Sequence, residues 1–425
     1  MKCKNIILFL LSILLVNCSD DDGVNLSHDD FKNVSYEETT LDIRIGTGQE
    51  WTATSLVPWL AVSEKEGQGE SSLKVLVQRN VGPARVGKIV IWTPDGDEDI
   101  DITQAAAPEG EEFHYVIPVV FHVLYKDDSE KVPVAHFQST LDKINRFYRG
   151  EAIFGDKKGV NMNLEFVLAS TTPDGQPTDG IDYIKVADNE IECQKLMGDK
   201  KYIPYLWDHN RYMNVMIYPF KQDTTNGMIL GVSHMPFSVR GEHELPGLDV
   251  VRDAYLTTAN LPYPKCVSLN AAILFETTEA GAPLPNPKDF SVTAAHEFGH
   301  YLGLHHSFNE DASGQCVDSD FCEDTPPYDR QYYLRAYLPY LAANNLITTE
   351  NLVKRTNCLD DSEFDSYNIM DYEYSFQDRF TPDQRIRIRN VLMYSPLIPG
   401  PKVYPAERIT RSLQGEIELP MTIVQ

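Results

Sequence analysis

Apolar and polar residues alternate with period two along residues 72–78 (SLKVLVQ) and 99–104 (DIDITQ). That pattern puts one face of a strand in a core and the other in water. Further strand-like runs stand at residues 39–45, 59–63 and 87–93, separated by turns rich in Gly, Pro and Asp. Together they predict a small all-β, immunoglobulin-like sandwich over residues 33–108. Trp51 and Trp59 are read as its core anchors, because a small sandwich needs large apolar side chains; a sugar-binding platform is the alternative.

After AAAPEGEE at 105–112, a linker by composition, the texture changes. A long apolar strand at 115–125 precedes a stripe of Phe137, Leu141, Ile144, Phe147 and Tyr148, whose helical spacing ends at Gly150. Strand-like runs follow at 163–170, 213–220, 229–236 and 267–275, and then a second helix. This order predicts a mixed α/β (α+β) domain with a twisted sheet over residues 112–398. The tail 399–425, with EIELPMTIVQ, reads as an added strand on either domain.

A length of 425 residues suits two folded units, and 42% hydrophobic with 10% aromatic residues supplies real cores. A formal charge of −26 argues against nucleic acid and anionic membrane surfaces as partners, because their phosphates would be repelled. Residues 1–17 read as an export signal: Lys2 and Lys4 precede an apolar run at 6–16 that is too short to span a bilayer. The run ends at Cys18 and resembles a bacterial lipobox, which implies lipidation of Cys18, although Asn17 departs from the usual small residue. A simple secretory signal is the alternative. Residues 18–32, opening with SDDDG after the cysteine, suit a flexible tether and resemble the acidic export tags of Gram-negative surface lipoproteins. The expected location is the outer membrane or cell surface, otherwise the periplasm or medium, held by a lipid anchor with no transmembrane helix.

The densest chemistry lies in HEFGHYLGLHHSF, residues 296–308. His296 and His300 are four apart, so on a helix they stand about 40° apart and one turn along, over one point. Glu297 lies beside them, where a general base belongs. Asp289, Ser291 or Thr293 can cap the helix start. Continued as regular helix, His305 and His306 would point roughly 180° and 280° away from His296. Gly303 supplies the break, since glycine enters the left-handed conformation without steric cost. His306 then becomes the third ligand, and His305 is one residue short. The added Gly and His make a chance match rarer by roughly 650-fold, given 25 Gly and 11 His. Three neutral imidazoles keep the full charge of Zn²⁺ and leave a fourth position open for water.

His296, Glu297, His300, Gly303 and His306 resemble the long motif of metzincin peptidases, whose second hallmark is a methionine turn. YNIMDY at 367–372 is similar to that turn, with Met370 as its methionine. By the same resemblance Tyr372 stabilises an oxyanion. Cys316, Asp320, DTPP from Asp324, and RFTPDQRIRI at 379–388 narrow the likeness to the pappalysin family. The resemblance implies a Zn²⁺-dependent endopeptidase acting on protein or peptide. It implies a Cys316–Cys358 disulfide and a Ca²⁺ site at Asp320, Asp324 and Thr325, for which a hydrogen-bonded acidic loop is the alternative. Cys193, Cys266 and Cys322 are left over, either free or with Cys193 paired to Cys266. YEYSFQD after Met370 departs from the family pattern and leaves substrate preference unread. Trp51, Trp59, Asn80, Arg85, Gly87 and the closing ITQ resemble BACON modules, which implies a glycan partner for the sandwich, with a spacer role as the alternative. The competing function is a surface adhesion lipoprotein with a non-catalytic peptidase-like domain; the intact Glu297 argues against it.

Overall fold

A computed structural model describes residues 24–57, 59–94, 96–108, 112–154, 158–221, 227–310, 315–402 and 415–425. The signal segment and Cys18 lie outside the described residues. The alternating N-terminal runs form two sheets. One orders Asn25–Leu26, Thr39–Gly46, Ser71–Val77 and Leu60–Val62; the other orders Asp30–Val34, Gly96–Gln104, Arg85–Thr93, Glu50–Ser55 and Glu66–Gln68. Ile43, Leu73, Val75, Ile89, Ile91, Ile100 and Ile102 turn inward to a shared core and are completely buried. Burying each such side chain stabilises the fold by roughly 1.5–3 kcal/mol.

Trp51 and Trp59 are 1% and 0% exposed, so they anchor this core and present no platform to a sugar. Strands begin earlier than the expected tether allows. Leu26 and Phe31 pack against the core while their main chains join the two sheets.

The second domain is built on a mixed sheet ordered Leu164–Leu168, Tyr115–Tyr125, Met213–Tyr218, Val267–Asn270, Gly231–His234 and Ile423–Val424, with Ile181–Lys185 also beside Tyr115–Tyr125. Pairing is parallel up to Val267–Asn270, and Gly231–His234 runs antiparallel to both neighbours. Met213–Tyr218 is buried at every position, as a strand covered on both faces must be.

Helix Val134–Tyr148 turns Phe137, Leu141, Ile144, Phe147 and Tyr148 inward, the stripe expected from spacing. It packs against helix Phe290–Tyr301, where the Tyr148 hydroxyl donates to the Ala295 carbonyl at 3.1 Å. Helix Pro382–Tyr394 opens on a Thr381–Gln384 capping box. The two domains are tied together. Phe237, Val239, Val251 and Leu397 share the sandwich core, and buried Arg85 donates to the Lys402 carbonyl. The predicted tail strand is present at Ile423–Val424, on the second domain.

Candidate metal centre

Asp289 caps the histidine helix, its carboxylate accepting from the Ser291 amide at 2.9 Å and from the Val292 amide at 3.4 Å. All twelve residues from Phe290 to Tyr301 are buried. The helix stops at Gly303, with φ +93°. The Gly303 amide returns to the His300 carbonyl at 2.9 Å and the Leu304 amide to the Gly299 carbonyl at 3.0 Å, a Schellman closure. That closure turns the chain so that His306 comes back over the helix.

His300 Nε2 lies 3.0 Å from His296 Nε2 and 3.2 Å from His306 Nε2. Each ring is oriented through its other nitrogen. His296 Nδ1 donates to the Ile369 carbonyl at 2.8 Å, and His300 Nδ1 to the Leu304 carbonyl at 2.8 Å. His306 Nδ1 donates to Glu310 Oε1 at 2.6 Å. With Nδ1 protonated, the three Nε2 lone pairs face one another, an arrangement that repels itself unless a cation stands between them. Burial pushes His296 down to about 4 and holds His300 and His306 well below the usual imidazole range. Neutral imidazole is the ligand form, so this donor set fits a borderline-soft divalent metal. Among the described residues no other group of three ligating side chains converges in this way.

Glu297 is 3% exposed and its Oε2 has no hydrogen-bond partner. Burial raises this carboxyl well above the usual range. Gly231 on the antiparallel strand lies directly against it. Met370, fully buried, fills the space under the helix: a Cβ on Gly299 would stand 2.4 Å from its Sδ. Its turn is closed by the Asn368 side chain accepting from the Met370 amide at 2.9 Å. Asp371 then accepts from the Tyr328 hydroxyl at 2.6 Å and from Ser366.

The Tyr372 ring lies 4.5 Å from His306 and 5.3 Å from His296. Burial and the nearby Glu297 carboxylate raise its phenol above the usual range, so it stays a proton donor. Arg330 covers its outer face at 4.9 Å and pairs with Glu373 at 2.6 Å.

His305 stays out of the cluster. It sits half-buried against Phe321, and burial and Arg387 push it down to about 4. Asp320 and Thr325 come together, the Thr325 hydroxyl donating to Asp320 at 2.6 Å, whereas Asp324 is exposed and accepts from the Asp383 amide at 2.9 Å. Cys316 and Cys358 are bridged, with Cα atoms 5.7 Å apart. Cys193, Cys266 and Cys322 are buried free thiols, so Cys193 and Cys266 are not paired. Glu310 and Gly231 were not singled out from sequence. Glu310 left one trace, its spacing of four from His306, and Gly231 left none.

Residues 270–393 match the family model of the M43 peptidases, described as pregnancy-associated plasma protein-A. Residues 49–105 match BACON, described as a putative N-terminal binding domain. The chain carries a pappalysin-type metzincin peptidase domain behind a BACON module. It is similar to extracellular metalloproteases of Arthroderma otae, at 30% identity over 135 residues, and of Arthroderma benhamiae, at 34% over 135. The match takes in 32% of this chain and 43% and 42% of those relatives, so the chain spans less than half the length of the curated relatives it matches. Mature mirolysin of Tannerella forsythia, solved with a cleaved peptide, aligns at TM-score 0.44 and 21% identity, over 66% of this chain and 92% of that one. Among the described residues no helix is long and apolar enough to cross a membrane.

Proposed function

We propose that this chain is an exported zinc endopeptidase that hydrolyses peptide bonds with Glu297 as general base. One observation carries the reading: three neutral imidazoles converge beside a buried carboxylate whose Oε2 has no hydrogen-bond partner. A zinc ion held by His296, His300 and His306 would polarise the scissile carbonyl and lower the pKa of attacking water to around 7. Glu297 takes a proton from that water as its oxygen bonds to the carbonyl carbon. It then returns the proton to the amine that leaves when the C–N bond breaks. The Tyr372 phenol donates to the oxygen that gains charge. In this reading the Asn368–Asp371 segment serves as the methionine turn, and the two N-terminal sheets are an immunoglobulin-like sandwich.

Export is supported by the signal-like residues 1–17 and by likeness to proteins named as extracellular. Lipidation of Cys18 belongs to the proposal, and mass spectrometry of the mature N-terminus tests it. Calcium at Asp320, Asp324 and Thr325 belongs to it as well. Its support is the buried Asp320 carboxyl beside Asp318, and calcium titration of the chelated protein with a thermal-melt readout tests it. Cleavage of a peptide library tests the main reading. Glu297→Ala is expected to lower cleavage by about 10²–10⁴-fold, and chelation to abolish it reversibly. Cleavage unchanged by either treatment sinks the proposal.

A further inference from the structure

Strand Gly231–His234 meets the histidine helix where Gly231 abuts Glu297, and its outer edge is covered by this chain's own tail. Ile423 pairs with His234 and Val424 with Ser233, antiparallel, so each further residue of the tail steps toward Gly231 and Glu297. Upstream, the Met235 amide donates to the Thr422 carbonyl at 3.0 Å, and the Thr422 hydroxyl to Asp249 at 2.6 Å. The Tyr263 hydroxyl donates to the Pro420 carbonyl, and Asn260 Nδ2 to the Gly415 carbonyl at 2.9 Å. Residues 415–425 are thus guided along one track that runs up the strand whose first residue, Gly231, abuts Glu297.

An extended segment on an open sheet edge is bound through main-chain hydrogen bonds, which any peptide of similar shape can supply. The hold on this one is modest. Ile423 and Val424 are only half-buried, Met421 and Thr422 are exposed, and a hydrogen bond contributes about 1 kcal/mol net. What favours the tail over a free peptide is tethering, which makes its binding intramolecular.

We propose that residues 420–425 are an intramolecular ligand of the edge Gly231–His234, competing with extended peptides for the metal centre. The peptidase reading supplies the identity of that competitor, and the pairing itself does not depend on it. Val424→Pro removes the amide facing Ser233 and loosens the tail without touching Glu297 or the histidines. Thr422→Ala removes one hydroxyl and no main-chain bond, so it keeps the test open if Val424→Pro fails to fold.

Both substitutions are made in the full chain carrying Glu297→Gln, which prevents turnover. The probe is a fluorescent peptide with the sequence of residues 419–425, followed by anisotropy. Loosening the tail is expected to tighten probe binding about tenfold or more for Val424→Pro, because millimolar effective concentrations are typical of such tethers. A smaller tightening is expected for Thr422→Ala. Equal probe affinity in the parent and in every folded variant overturns the proposal. Cleavage is measured separately with Glu297 restored. A chain that cleaves nothing yet shows the affinity difference retains the tail as ligand while the peptidase reading fails.

Discussion

Gly231 abuts Glu297: a Cβ at position 231 would stand 2.6 Å from Glu297 Cγ and 2.7 Å from its Oε1. The contact involves main chain on one side and a fully enclosed carboxylate on the other, so neither can give way cheaply. Gly231→Ala is expected to displace the base while sparing the three imidazoles. Displacements near 1 Å cost on the order of 10²-fold in rate. The expected outcome is a fall of about that size in kcat, with bound zinc per chain unchanged by atomic absorption. Loss of the metal as well would show that residue 231 supports the whole site and not the base.

Glu310 orients the ring of His306, the third ligand of the proposed zinc site. Its carboxylate takes the His306 Nδ1 proton at 2.6 Å, fixing the tautomer that leaves Nε2 free and adding basicity to it. His296 and His300 lean on carbonyl oxygens instead, so Glu310 is the one anionic partner among the three. Glu310→Gln keeps an acceptor but removes the charge. Zinc affinity is expected to drop by about 10–100-fold, read by competition with a chromophoric chelator. Unchanged affinity would leave Glu310 a bystander.

The histidine helix was legible because its information is local. A spacing of four, a capping Asp289 and a breaking Gly303 decide which imidazoles converge, and each acts within a few residues. The stripe from Phe137 to Tyr148 was legible for the same reason. The Gly231–Glu297 contact and the tail's seat on Gly231–His234 depend on strand order across the sheet, which no local period encodes. The tether was overextended because polar, acidic residues hide Leu26 and Phe31, two apolar positions that are enough to start strands. Cysteine spacing leaves the pairings open, and the fold decides them: Cys316 meets Cys358, and the other three are buried free thiols.

The Cys316–Cys358 bridge closes a loop of sequence separation 42 that contains Asp320, Thr325 and Arg330. Chain-entropy estimates for a loop of this length give about 4 kcal/mol. The double substitution Cys316→Ser and Cys358→Ser is expected to lower Tm and to make the loop sensitive to limited proteolysis before global unfolding. Arg330 lies on Tyr372, so kcat is expected to fall in the same variant. A proteolysis pattern identical to that of the parent would show that the loop is held by its packing alone.

Lys265 carries a pH dependence that can be separated from catalysis. Its side chain is completely buried; Nζ donates to the Met235 carbonyl at 3.2 Å and lies over the Tyr301 and Phe237 rings, with no carboxylate paired to it among the described residues. Burial pushes its pKa down to about 7, against an unfolded value near 10.4. Between those values the unfolded chain binds the extra proton, so stability rises with pH through that window. Below pH 7 both states are charged and the full cost of burying the ammonium is felt. Lys265→Met keeps the apolar stem and removes the charge. It is expected to raise Tm most at pH 6, with the advantage shrinking steadily toward pH 9 as the native lysine sheds its proton. Thermal melts of both proteins across that range measure it. An advantage independent of pH would mean that Lys265 is charged in the folded protein throughout.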